Sequence, residues 1–200
     1  MSADQDPVII VSGLPRSGTS MLMAMLQAGG LEIVSDGERK ADCDNPRGYF
    51  ELEAAKNLEH DSSWMQDAVG KVVKVVSRLL EYLPQDRVYR VLFLRRNLDE
   101  VLASQTKMLQ RRGHPEPSGD DDEGMRKAFA AHLDKVSVDL ERSPNVQTLC
   151  LDYADVVKDP GGNAHRIAAF LGRDLDEAAM EAVVDCGLHR NHRPSPQEEG

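Results

Sequence analysis

The stretch VIIVSGLPRSGTSMLMAMLQAGG, residues 8–30, constrains this chain more than any other. Val8 to Val11 form a β-branched run suited to a pleated strand. Gly13-Leu14-Pro15-Arg16-Ser17-Gly18-Thr19-Ser20 follows, and then apolar residues at helical spacing from Thr19 to Ala28. Strand, glycine loop and helix form the layout of a phosphate-binding loop. Backbone N–H groups of Ser17 to Ser20, at a helix start, converge on one place with the positive end of the dipole, and Thr19 and Ser20 add hydroxyls. A plain strand-to-helix turn needs a glycine and a cap, but not Arg-Ser-Gly-Thr-Ser together. The loop matches the spacing G-x-x-x-x-G-K-[ST] except that Thr19 stands at the lysine position, leaving Arg16 as its one cation. Triphosphate enzymes use that lysine on the outer phosphates. Its absence counts against an ATP–Mg²⁺ phosphotransferase, as does the lack of a predicted strand ending in a buried aspartate.

Three further segments read as strands: Lys71–Val76, Tyr89–Leu94 and Val146–Leu151. Helical periodicity covers Leu98–Gln110 and Gly162–Leu171, and a helix is expected within Tyr49–Trp64. Apolar strands alternating with amphipathic helices predict a single-domain, three-layer α/β/α fold around a central parallel sheet. Ligands in such folds bind beyond the carboxyl ends of the strands. Arg111–Gly124, rich in Pro, Gly and acid, is expected to be a loop before a helix at Met125–Glu141. The domain is expected to span residues 1–193, with a disordered tail at 194–200.

Two hundred residues, 40% of them hydrophobic, supply one sizeable core. A net charge of −10 argues against a nucleic-acid or anionic-membrane binder. Cys43, Cys150 and Cys186 lack metal or redox spacing and suit a reducing compartment, with Cys150 expected in the core. The chain shows neither a signal peptide nor a membrane-length apolar run, so a cytoplasmic location is expected.

A second anion site is expected where the third of these strands ends, in RRNLDEVLASQ. Ser104 lies roughly two helical turns beyond Arg96, so both reach one anion if the chain bends at Asn97. Alone, the arginines are better read as surface charges, with Ser104 on a helix face. Beside the glycine loop, they suggest a ligand with two separated phosphates.

GLPRSGTS and RRNLDEVLASQ together resemble the two cofactor-binding motifs of the sulfotransferases that use 3′-phosphoadenosine 5′-phosphosulfate (PAPS). NPRGYFE and LDYADVVKDPGGNAHRIAAFLG resemble further segments of bacterial members, so the likeness covers nearly the whole chain. The resemblance implies a P-loop NTPase-like topology and sulfuryl transfer to an acceptor hydroxyl without a metal. It assigns the 5′-phosphosulfate to Arg16, Ser17, Gly18, Thr19 and Ser20, and the 3′-phosphate to Arg96 with Ser104. Arginine at position 16 is similar to the tyrosylprotein and bacterial branches.

Such chemistry needs a base for the acceptor proton and cations near the oxygen of the leaving nucleotide. Arg16 is one cation, and Lys74, which interrupts the run VVKVV, is taken as the other. Its place resembles a strand-end catalytic lysine of the tyrosylprotein branch; alternatively, its long stem carries the charge to solvent. Glu51 is the first choice of base, because a glycine turn and two aromatics place it in a partly dry pocket. Glu38 and Asp36 remain alternatives, and His60 is expected to be exposed. Arg190 and Arg193 either close over the 3′-phosphate or form a basic tail. A non-catalytic module binding 3′-phosphoadenosine nucleotides is the third reading. The acceptor class is not encoded legibly, and the short chain leaves room for a homo-oligomer.

Overall fold

The computed structural model describes residues 6–37, 48–111 and 119–184, the last without the side chains of 119–121. Five parallel strands make one sheet in the order β2-β3-β1-β4-β5. These are β1 (Val8–Gly13), β2 (Ile33–Val34), β3 (Val72–Lys74), β4 (Tyr89–Arg95) and β5 (Val146–Asp152). β1 is central and buried along its whole length, as its apolar run Val8–Val11 leads one to expect.

Alternation along β1 divides the core into two. Ile9 and Val11 pack with Leu22, Met25 and Leu26 of α1 (Thr19–Ala28) and with Val156, Ile167 and Met180. Those three residues come from α5 (Tyr153–Lys158), α6 (Pro160–Leu171) and α7 (Glu177–Val183) respectively. Val8 and Ile10 face the other way. They pack with Met65, Leu79, Leu80, Val136 and Leu140, drawn from the 3₁₀ turns Ser63–Ala68 and Ser77–Tyr82 and from α4 (Gly119–Arg142). The two clusters, one on each face of the sheet, join the expected three layers, and each buried Ile, Leu or Met contributes roughly 1.5–3 kcal/mol by removal from water.

Register places the chemistry along one edge. Val11 lies opposite Lys74, Gly13 opposite Leu94, and Arg95 opposite Asp152, so the carboxyl ends of β1, β3, β4 and β5 lie side by side.

Several expectations require correction. β3 stops at Lys74 because Val76, 37% exposed, already leads into the 3₁₀ turn. Cys150 is exposed rather than in the core, because among the described residues β5 is an outer strand paired with β4 alone. The Arg111–Gly124 region is partly helical: α3 (Leu98–Arg111) runs to its first residue, and α4 begins at Gly119. The expected helix within Tyr49–Trp64 is the short α2 (Glu53–Lys56). Among the described residues, no helix is long and apolar enough to cross a membrane.

Candidate active site

The glycine loop joins β1 to α1 as expected. Gly18 takes φ 99° at the helix entry, a left-handed conformation that favours glycine. A side chain there would also collide with Tyr153, whose ring carbon would lie 2.5 Å from the new Cβ. Arg16 adopts φ 71°, an uncommon value for a non-glycine residue and a local strain of the kind that accompanies binding sites. Ser17 is 1% exposed and its Oγ has no hydrogen-bond partner. A buried hydroxyl in that state is costly; it lies against Gly13, and the Ser17 N–H, expected to face a ligand, donates instead to the Leu14 carbonyl at 3.1 Å.

Arg16 ties the glycine loop to the segment that follows β4. Its Nε donates to Ser104 Oγ at 3.0 Å, and its backbone carbonyl accepts from Arg96 Nη1 at 3.3 Å. Ser104 is buried on α3, two turns beyond the end of β4, so the bend at Asn97 forms as expected. The Asn97 side chain makes that bend by accepting from the N–H groups of Asp99 and Glu100. The pairing differs in one respect from the simple expectation: it is Arg16, rather than Arg96, that bonds Ser104.

Arg96 is held on three sides. Its Nε donates to Glu100 Oε2 at 2.8 Å, its Nη1 to the Arg16 carbonyl, and its guanidinium lies 4.3 Å from the centre of the Tyr153 ring. Burial raises the Tyr153 phenol above its ordinary range, while the neighbouring Arg96 charge acts in the opposite sense. Arg95 donates to Ser137 Oγ on α4 at 3.0 Å. A cleft of about 360 Å³ opens here, lined by Arg95, Arg96, Asn97, Glu100, Asp152 and Tyr153 among others.

Lys74 also belongs to the loop. Its Nζ donates to the Tyr49 carbonyl at 2.6 Å and to Ser20 Oγ at 3.3 Å, which brings the ends of β3 and α1 and the segment after Gly48 to one place. The lysine therefore turns inward and does not carry its charge out to solvent. That segment carries a second strained residue, Phe50, at φ 50°.

Of the proposed bases, Glu51 lies two residues beyond Tyr49 and pairs with Lys56 Nζ at 3.2 Å. Asp36 is exposed, and its carboxylate accepts the Glu53 N–H at 2.6 Å, as an anchor for the start of α2. Glu38, Arg190, Arg193, the turn Asn45–Arg47 and the tail 194–200 lie outside the described residues. His60 is exposed, as expected. Glu100 and Tyr153 went unrecognised as site residues from sequence. The i,i+4 spacing of Arg96 and Glu100 and the position of Tyr153 immediately after a strand were the available signals.

Residues 6–193 match the family described as Sulfotransferase domain. No curated relative matches the chain by sequence. Solved structures that share its fold include three sulfotransferases. A mouse sulfotransferase, SULT7A1, complexed with PAP is 17% identical with a TM-score of 0.52, covering 90% of this chain, which spans 63% of the mouse protein's length. A sulfotransferase from Alicyclobacillus acidocaldarius is 16% identical with a TM-score of 0.52, over 96% of this chain and 87% of the other. The sulfotransferase domain of a Synechococcus olefin synthase is 16% identical with a TM-score of 0.54, over 100% of this chain and 86% of that domain.

Proposed function

The chain belongs to the sulfotransferase domain family, and on that premise we propose that it moves the sulfuryl group of PAPS to a hydroxyl of an acceptor by in-line displacement. The observation that carries this reading is the Arg16 bridge. One side chain bonds Ser104 while the same residue's carbonyl bonds Arg96, so the glycine loop and the segment after β4 are held side by side, which supports their sharing one ligand. A nucleotide phosphorylated at both ends suits that arrangement, and the mouse relative of similar fold was solved with PAP.

The residues present fit such a donor. The loop offers N–H groups, the Ser17 hydroxyl and a cation, while the bare Gly18 lets the Tyr153 ring pack against the loop. When bound, the donor supplies an activated sulfuryl group on a stable leaving phosphate. Arg16, Thr19 and Ser20 bind the 5′ end, and Arg96 with Ser104 the 3′ end. Lys74, fixed by Ser20 and the Tyr49 carbonyl, is placed to neutralise charge that develops beside the loop as the bond to the nucleotide breaks. Glu51 takes the acceptor proton at a carboxylate oxygen. Proximity favours it over Asp36: the Tyr49 carbonyl that anchors Lys74 is two residues away, while Asp36 is committed to the α2 backbone.

Calorimetry with adenosine 3′,5′-bisphosphate against ATP–Mg²⁺ tests the reading. Bisphosphate binding is expected, with a loss of about 1.5–3 kcal/mol in Arg96→Ala. Binding of ATP–Mg²⁺ alone would establish a phosphotransferase instead. Bisphosphate binding without sulfuryl transfer to any hydroxyl acceptor would leave a nucleotide-binding module.

A further inference from the structure

Glu100 stands where an anion site has least use for a carboxylate. Its Oε2 is 2.8 Å from Arg96 Nε, and the two side chains are only 13% and 9% exposed. A second carboxylate, Asp152, lines the same cleft, but it accepts the Ala154 N–H at 2.9 Å and caps α5. Arg95 lines the cleft as well, with its Nη2 donating to Ser137 Oγ. The Arg96 charge that a phosphate would meet beside Tyr153 is offset by Glu100.

The geometry leaves Arg96 able to bind an anion while so paired. Glu100 takes the Nε edge, the Arg16 carbonyl takes one Nη1 proton, and Tyr153 covers one face. A guanidinium carries five N–H donors, so the Nη2 edge retains its pair. A dianion bound there lies within several ångströms of the Glu100 carboxylate, in surroundings too dry for effective screening.

We infer that Glu100 is a positioning residue with a second effect: it holds the Arg96 guanidinium in its binding orientation and, as a fixed counter-charge, weakens the grip on the 3′-phosphate. The inference rests on the nucleotide-binding reading above. The weakening has a use, because the 3′,5′-bisphosphate left after transfer keeps both of its anchors and must depart before another donor enters. An uncompensated arginine would hold that product longest.

Glu100→Gln retains an acceptor for Arg96 Nε and removes the charge. Binding of adenosine 3′,5′-bisphosphate and of adenosine 5′-monophosphate is measured for both proteins. The bisphosphate should bind about tenfold more tightly to the variant, chiefly through slower dissociation in stopped flow, while the monophosphate changes by less than about twofold. Glu100→Ala, a second variant should the first fold poorly, should shift the bisphosphate-to-monophosphate ratio the same way, since the Arg16 carbonyl and Tyr153 still hold Arg96. An unchanged or reduced ratio in the variants, with the wild type binding the bisphosphate, overturns the counter-charge role alone. A wild type that binds neither nucleotide overturns it together with the reading on which it rests.

Discussion

Lys74 Nζ and Ser20 Oγ lie 3.3 Å apart across 54 positions of sequence. One belongs to the end of β3 and the other to the first turn of α1. This contact converts a lysine in an apolar run into a cation fixed at the mouth of the glycine loop.

Removing that cation should affect turnover more than binding. Lys74→Met keeps the apolar stem and is expected to lower kcat by about 10²–10³, the range for loss of one charge-stabilising donor. Nucleotide affinity should change by less than about tenfold in the same calorimetric titration. A variant with wild-type kcat would return Lys74 to a purely structural role.

Glu51→Gln should leave bisphosphate binding intact and reduce turnover by about 10²–10⁴. Asp36→Asn should instead act on the fold, because the Asp36 carboxylate bonds the Glu53 N–H. Its expected signature is a lowered melting temperature with kcat preserved. If Asp36→Asn abolishes turnover at unchanged stability, the two assignments exchange places.

Gly18→Ala meets two obstacles at once: a φ of 99° and a Cβ position 2.5 Å from the Tyr153 ring. A cost of about 2–4 kcal/mol is expected by chemical denaturation, from backbone strain and overpacking together. Truncating Tyr153 in the same chain should recover part of it. Additive losses would show that the ring is not the obstacle.

His132 offers a test of pH dependence away from the active site. Burial, and then the nearby Lys135 charge, push its pKa below the ordinary 6.5, while Glu81 pulls it up; Ser77 Oγ lies 2.9 Å from its Nε2. The folded state therefore prefers the neutral ring. Stability from this group is present above pH 6.5 and declines as pH falls from there through the lower folded-state pKa. NMR titration of the ring should give a midpoint below 6.5, and His132→Gln should flatten the fall in urea midpoint between pH 7 and 5.

Those parts of the fold encoded by contiguous pattern were legible in the sequence. The strand from Val8 and the helix Thr19–Ala28 follow from periodicity within one short window, and β4 with its exit at Arg96 follows likewise. Burial of Cys150 was misjudged because an apolar strand's environment depends on its place in the sheet order, which no local pattern records. β2 escaped notice because two residues carry no periodicity. At the site, residue types and strand-end positions were readable, but partners were not. Nothing in the spacing says that Arg16 selects Ser104, or that Tyr153 stacks on Arg96, since both pairings depend on how the chain crosses the sheet.

The Arg16–Ser104 bond spans 88 positions and hangs from two adjacent strands, β1 and β4. The two halves of the proposed site come together only once that strand pair has zipped, and such non-local pairing is slow to form. A partly folded chain with an intact glycine loop would thus lack the second half of the proposed nucleotide site. Conversely, nucleotide at 100 times its dissociation constant would stabilise the native sheet by about 2.7 kcal/mol through mass action. The ligand would thereby report on, and protect, the completed central sheet.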